Sequence, residues 1–142
     1  MIKRKGTYVL FLTFRSPLTV DVGALGEVFL EPGMYCYVGS AMNGLDQRVG
    51  RHLAREKKMK WHIDRLTVAA DLVEAAESYP DFIPECTLAS IASECGCIPA
   101  VKGFGCSDCR CPTHLFRVPP GSRQRLLDRT NLKLWQVNSA TH

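Results

Sequence analysis

Residues 35–53 read YCYVGSAMNGLDQRVGRHL, and the elements predicted for this stretch determine the fold predicted for the rest of the chain. The segment 34–39 (MYCYVG) predicts a strand, because it is rich in aromatic and β-branched residues and follows the turn signal Pro32-Gly33. Asn43-Gly44 marks the next turn and predicts the start of a helix that covers about residues 45–57. The stretch is therefore predicted to be a strand, a turn and a helix.

The predicted helix has an apolar arc beside a cationic one. At about 100° per residue, three apolar side chains share the arc that should face the core: Leu45, Val49 and Leu53. Three cations form the neighbouring arc: Arg48, His52 and Arg55. We expect them at the margin between core and solvent, where packing can hold a side chain whose head reaches a ligand.

The remaining segments predict a single α+β domain over residues 1–142, with a small mixed or antiparallel sheet flanked by helices and a Cys/His-rich loop at 103–114. Strands are predicted at TYVLFLTF (7–14), LTVDV, EVFL, AVKGFG, THLFRV and KLWQV. Helices are predicted at WHIDRL, at ECTLASIASECG after Pro84, and at SRQRLLDRT. DLVEAAESY fits either a strand or a helix.

Composition and charge limit the class of protein. With 46% hydrophobic and 23% charged residues the chain has an ordinary globular balance. No apolar run approaches the ~18–20 residues of a spanning helix, so no membrane partner is expected. The basic start lacks a small-residue cleavage site, which favours a buried strand and a cytoplasmic location.

The net charge of +4 is concentrated between residues 48 and 65. That segment predicts a phosphate-facing surface, with a solvated helix face as the alternative.

The seven cysteines, an odd number in a chain with no export signal, argue against a disulfide framework or a disulfide-linked partner. The segment from Cys106 to His114 has zinc-knuckle spacings, but four ligands from so short a segment fit poorly around one tetrahedral ion. Two or three of them with His62 or Cys86 form an easier site. The candidate ligands of a structural Zn²⁺ are Cys109, Cys111, His114 and His62, and a reduced loop without metal is the alternative.

The stretch Tyr37-Val38-Gly39-Ser40, followed by Leu45, Arg48 and His52, resembles the second half of the GIY-YIG nuclease motif, and Gly6-Thr7-Tyr8 resembles the first half. More narrowly, nearly the whole chain resembles an uncharacterised prokaryotic family related to those nucleases. That resemblance rests on GTYVL, YCYVGSA, RVGRHL, KWHID, PECTLA and GFGCSDCRCPTHLF. It departs from the nucleases because Tyr8 and Tyr37 are 29 positions apart, so that VDVGALGEVF has to form extra strands between them.

The resemblance implies a Mg²⁺-dependent endonuclease that hydrolyses phosphodiester bonds, with nucleic acid, DNA as the first choice, as its partner. The implied catalytic residues are Tyr8, Tyr37, Arg48 and His52, and Glu85, at the start of a later helix, would bind Mg²⁺. An arginine fork suits phosphate oxygens, whereas a tyrosine acts as a base only if cations lower its pKa from about 10. Seven further residues are expected to contact nucleic acid: Ser40, Arg51, Arg55, Lys57, Lys58, Lys60 and Trp61.

Two other interpretations stay open. The same scaffold could be a catalytically inactive DNA- or RNA-binding module, because a fold does not carry an activity with it. The chain could also be a metal-stabilised interaction protein that binds no nucleic acid. In both cases Glu85 would be an ordinary first-turn residue, favoured there by the helix dipole.

Overall fold

The structure is a computed structural model that describes residues 4–54, 57, 62–105 and 111–135. The described residues form eight strands: β1 (Gly6–Phe14), β2 (Leu18–Asp21), β3 (Glu27–Leu30), β4 (Gly33–Ala41), β5 (Leu72–Glu77), β6 (Ile98–Pro99), β7 (Leu115–Arg117) and β8 (Lys133–Leu134). They also form four α-helices: α1 (Leu45–Leu53), α2 (His62–Ala69), α3 (Glu85–Glu94) and α4 (Ser122–Thr130). Five residues of the predicted sites lie outside the described residues: Arg55, Lys58, Lys60, Trp61 and Cys109.

Six strands form one antiparallel sheet in the spatial order β6-β7-β4-β1-β5-β8. The central strand β1 pairs along its whole length with β4, from Gly6 opposite Ala41 to Phe14 opposite Gly33. Its other edge pairs with β5. β1 is almost entirely buried, which explains why its sequence is continuously apolar instead of alternating.

Both faces of the sheet are covered. Tyr8, Leu10 and Leu12 face the side that carries α1, α2 and the hairpin β2–β3. Val9 and Phe11 face the side that carries α3 and α4. The predicted α+β fold, with a small antiparallel sheet flanked by helices, is confirmed. β2 and β3 form the expected extra strands as a separate two-stranded sheet. The segment DLVEAAESY contains strand β5 and no helix.

The predicted helix 45–57 is too long. Helix α1 ends at Leu53, and Ala54 has an extended backbone with ψ 133°. The carbonyls of Arg51 and His52 accept hydrogen bonds from Lys57 Nζ at 2.9 and 3.0 Å. Because that ammonium satisfies carbonyls of the last turn, the chain leaves the helix without losing their hydrogen bonds.

The predicted strand AVKGFG is also wrong. Gly103 and Gly105 have φ values of 80° and 75°, a backbone conformation that no strand contains. The short strand here lies earlier, at Ile98–Pro99, and pairs with β7.

Of the described helices, none has the length and apolar character needed to span a bilayer.

Candidate active site

The register between β1 and β4 brings the two half-motifs together. Tyr8 lies opposite Gly39, and Tyr37 lies opposite Leu10. Side chains alternate along a strand, so residues two positions apart share a face. Tyr8 and Tyr37 therefore lie on the same face of the sheet as diagonal neighbours, and the extra hairpin between the half-motifs does not separate them.

Tyr8 crosses over Gly39. A Cβ atom on Gly39 would overlap the Tyr8 hydroxyl oxygen and Cζ, and it would lie 2.8 Å from Tyr8 Cε2. The glycine of the YVG segment is therefore the residue that makes room for the Tyr8 ring, and the backbone of β4 forms the floor beneath that ring.

Helix α1 contributes a histidine to this tyrosine. Tyr8 Oη lies 2.8 Å from His52 Nε2, and each side chain belongs to a residue that is only 1% exposed. The expectation that His52 lies at the margin of the core is wrong. His52 is more buried than its helix neighbour Leu53, because the Tyr8 hydroxyl supplies a hydrogen bond for the imidazole inside the core.

The electrostatic surroundings keep both groups neutral. Burial, and then the neighbouring Tyr37 and Glu85, raise the pKa of Tyr8 well above its ordinary value, although the charge of Arg48 and a hydrogen bond with it act in the opposite direction. Burial and the charge of Lys57 lower the pKa of His52 to about 4. The condition under which Tyr8 could act as a phenolate base is therefore not met at neutral pH.

Arg48 links the end of β4 to Tyr8. Its Nη1 donates a hydrogen bond to the Ser40 carbonyl oxygen at 3.1 Å, and its guanidinium also reaches the Tyr8 side chain. Since Arg48 belongs to α1 and Ser40 to β4, the turn between these two elements fixes the position of the guanidinium. The sequence stretch 35–53 thus supplies one compact group around the Tyr8 hydroxyl.

Two other cations of this region have internal contacts. Arg51 Nη1 lies 2.6 Å from Oδ1 of Asp64, whose side chain is fully buried in α2. Lys57 Nζ donates to Thr67 Oγ1 at 2.8 Å, in addition to the two carbonyls of α1. These contacts join α1 to α2, so the structure gives Arg51 and Lys57 a structural task that the charge pattern did not predict.

Glu85 approaches from the other side of the site. It is the first residue of α3, and its Oε1 lies 3.5 Å from His114 Nδ1. Burial raises the pKa of Glu85 and lowers that of His114. A Cβ on Gly105 would lie 3.2 Å from His114 Cβ and 3.4 Å from the Tyr37 hydroxyl. Gly105 thus lies beside both His114 and Tyr37. Because Glu85 lies beside His114, the Glu85–His114 pair and Tyr37 are close to the same glycine.

A second group of side chains adjoins Glu85. Cys86, Cys111 and His114 offer ligand atoms that all lie within 4.8 Å of one another. His62, which the sequence analysis grouped with these cysteines, lies instead beside the β2–β3 hairpin, with Nε2 2.8 Å from the Cβ position of Gly23. Of the two residues named from the sequence as completing the group, His62 or Cys86, the structure brings Cys86 to Cys111 and His114 and places His62 elsewhere.

Comparison with known proteins gives a family without an assigned activity. Neither the curated proteins nor the solved structures yielded a match. Residues 7–134 match the family model described as Domain of unknown function DUF123. This match covers most of the chain, from the first residues of β1 to the end of β8. The chain therefore belongs to the DUF123 family.

Proposed function

We propose that this chain is an endonuclease that hydrolyses phosphodiester bonds in nucleic acid, with DNA as the first substrate to test. The observation that supports the proposal is the group of side chains around the Tyr8 hydroxyl. His52 hydrogen-bonds to that hydroxyl, and Tyr37, Arg48 and Glu85 are all close enough to shift its pKa. Two tyrosines, an arginine, a histidine and a carboxylate are the residue types that phosphodiester hydrolysis uses.

Arg48 is the proposed phosphate-binding residue. Its guanidinium is planar and permanently charged, so it matches two phosphoryl oxygens as a lysine ammonium cannot. The hydrogen bond to the Ser40 carbonyl orients the group before substrate binds. A donor held in advance stabilises the charge that develops on the phosphoryl oxygens in the transition state.

Tyr8 and His52 act as a neutral pair in this proposal. In the tautomer that carries its proton on Nδ1, His52 accepts the Tyr8 hydroxyl proton at Nε2, and the Tyr8 oxygen can then accept a hydrogen bond from the attacking water. As the water oxygen bonds to phosphorus and the bond from phosphorus to the leaving oxygen breaks, the water proton passes to Tyr8, the Tyr8 proton passes to His52, and the leaving oxygen takes up a proton from solvent. Because the pKa of His52 is about 4, the imidazole is neutral before the step at pH 7 and passes that proton on to solvent after it, which restores the neutral pair.

Glu85 is the residue that would hold Mg²⁺. Its carboxylate is 31% exposed at the start of α3, so a hydrated ion can reach it, and one carboxylate with several waters is an ordinary Mg²⁺ site. When bound, the ion would polarise the phosphate and help the leaving oxygen to depart. Burial raises the pKa of Glu85, and a cation beside the carboxylate would offset that cost.

The depth of the site favours one second candidate. Tyr8 and His52 are both 1% exposed, whereas Arg48 and Tyr37 are partly exposed, so a phosphate would meet Arg48 and Tyr37 first. If substrate stops at Arg48, the domain binds nucleic acid without cutting it. This catalytically inactive binding module uses the same surface and is separated from the nuclease only by the appearance of products.

The test is nicking of supercoiled plasmid with Mg²⁺ by the wild type and by Arg48→Lys and Glu85→Gln. Each variant should lose roughly 10²-fold or more in rate while remaining folded by circular dichroism. Arg129→Lys is the matched control, because Arg129 lies on α4 with an exposed partner, Glu94, and should keep full activity. Equal nicking by all four proteins would reveal a contaminant. Salt-dependent binding without products would identify the inactive module.

A further inference from the structure

We propose that Cys86, Cys111 and His114 form a Zn²⁺ site that is distinct from the Mg²⁺ site proposed at Glu85. Their ligand atoms lie within 4.8 Å of one another. Around a tetrahedral zinc with ligands at about 2.0–2.3 Å, neighbouring ligand atoms are about 3.5–4 Å apart. Side-chain rotations that move each atom by about 1 Å or less therefore complete the site, with no change in the backbone.

The fold brings these three residues together from two separate segments. Cys86 is the second residue of α3, whereas Cys111 and His114 precede β7. The His114 backbone is fixed on both sides: its N–H donates to the Phe104 carbonyl, and its carbonyl accepts from the Val38 N–H, each at 2.9 Å. Because these hydrogen bonds hold the His114 backbone, this ligand is in position before the metal binds, which reduces the free-energy cost of binding.

The ligand types select the metal. Thiolate and imidazole are soft or borderline ligands that suit Zn²⁺, whereas Mg²⁺ and Ca²⁺ require oxygen. Two thiolates also balance the charge of a divalent ion, so the site carries no net charge into a partly buried position. Glu85 Oε1, 3.5 Å from His114 Nδ1, stands where a carboxylate supports a metal-bound histidine.

The cluster opens onto a cleft through which an ion can enter. Cys86 is exposed, Cys111 is partly exposed and His114 is buried, so the cluster runs from the surface into the protein. A cavity of about 440 Å³ borders both thiols, and Ser90, Thr113 and Phe116 contribute to its walls. There is room for a fourth ligand, a water molecule or a substrate atom, on the open side.

The experiment measures metal content and spectrum and does not use nuclease activity. Fully reduced full-length protein is dialysed against zinc and then against metal-free buffer, and bound zinc is measured by mass spectrometry. The wild type should retain about one ion per chain. Replacement by Co²⁺ should give a thiolate-to-cobalt charge-transfer band and the visible d–d bands of a tetrahedral site.

Cys86→Ser is the decisive variant, because Cys86 is exposed and its loss should not disturb folding. It should weaken zinc affinity at least tenfold and remove most of the charge-transfer band. Cys95→Ser, at the other end of α3 and outside the cluster, is the control and should leave zinc content unchanged. Zinc content and the cobalt spectrum are measured without a nucleic-acid substrate, so a failed nuclease test and a failed metal test remain distinguishable.

Three results would overturn the proposal. One is a reduced wild-type protein that retains no zinc and shows no charge-transfer band. Another is full zinc retention by Cys86→Ser, which would locate the metal elsewhere. The third is a Cys86–Cys111 disulfide that forms in zinc-loaded protein as quickly as in zinc-free protein, because bound thiolates should resist oxidation.

Discussion

Tyr8 and Gly39 are cross-strand partners in β1 and β4, and the Tyr8 ring occupies the space that a Cβ on Gly39 would need. Any shift of the ring has a cost in packing and hydrogen bonding, since it is fully enclosed and its hydroxyl bonds to His52. Gly39 is therefore a steric requirement of the candidate site, even though it contributes no chemical group.

We expect Gly39→Ala to destabilise the protein by about 1–3 kcal/mol, because the new methyl group overpacks an enclosed region. The Tyr8 ring should also shift away from His52. Urea unfolding measures the first effect, and the ring and imidazole resonances in NMR spectra report the second.

Gly50→Ala is the matched control for this change. A Cβ on Gly50, in the middle of α1, would meet nothing within 4 Å. Alanine costs less conformational entropy in a helix than glycine, so this variant should gain about 0.5–1 kcal/mol. Equal effects of the two alanines on stability would contradict the steric argument.

The ion pair between Arg51 and Asp64 gives a prediction about stability. The Asp64 side chain is fully buried, and α1 and α2 meet through this pair. Arg51→Ala leaves the fully buried Asp64 carboxylate without that partner and should cost about 3–5 kcal/mol in the free energy of unfolding. Asp64→Ala should cost less, because the arginine that it leaves still reaches solvent. If the two variants Asp64→Ala and Arg51→Ala proved harmless, the pair would not hold the helices together.

Asp46→Ala is the comparison for Asp64. Asp46 also pairs with an arginine, Arg4, but its side chain is 68% exposed. Water screens such a pair, so the loss should be below about 1 kcal/mol. A larger loss at Asp46 than at Asp64 would reverse the expected order.

His52 makes stability depend on pH. Its pKa is lowered from 6.5 to about 4 in the folded protein, so the unfolded chain binds a proton in the interval where the folded protein does not. Stability should therefore fall as the pH falls from about 6.5 to about 4, by up to roughly 3 kcal/mol from this residue, and should be level above that interval.

His52→Gln should remove that part of the pH dependence. Burial shifts His114 in the same direction, so the difference between wild type and variant isolates the contribution of His52. Urea unfolding at a series of pH values measures both slopes. Identical slopes would mean that folding does not lower the pKa of His52.

Local patterns were enough to predict the strand, turn and helix of residues 35–53, and the strand at 7–14, because apolar period and turn residues act within a few positions. The end of α1 was not predictable in this way. It depends on Lys57, which folds back onto the carbonyls of Arg51 and His52. The spacing of apolar residues along a helix gives no information about such a contact.

The chemical environment of the site could not be predicted from the sequence pattern either. The helix wheel put His52 at the margin of the core, whereas its full burial depends on Tyr8, 44 positions earlier in the chain. Cys86 and His114 likewise meet only because α3 packs beside the segment that enters β7. Contacts between distant segments are set by the register of the sheet, which single-sequence reasoning could not provide.

The neutral Tyr8–His52 pair predicts a particular pH profile for nicking. A phenolate base would make the rate climb with pH toward the pKa of Tyr8, which burial raises well above its usual range. The neutral pair instead requires only that His52 is unprotonated, and its pKa is about 4. The rate should therefore fall below about pH 5 and show no inflection between about pH 7 and 9. Tyr8→Phe should lower the rate by roughly 10²–10⁴-fold without adding a step to the profile. A wild-type rate that rises tenfold per pH unit up to pH 9, and a flat profile in Tyr8→Phe, would show that the phenolate is the base.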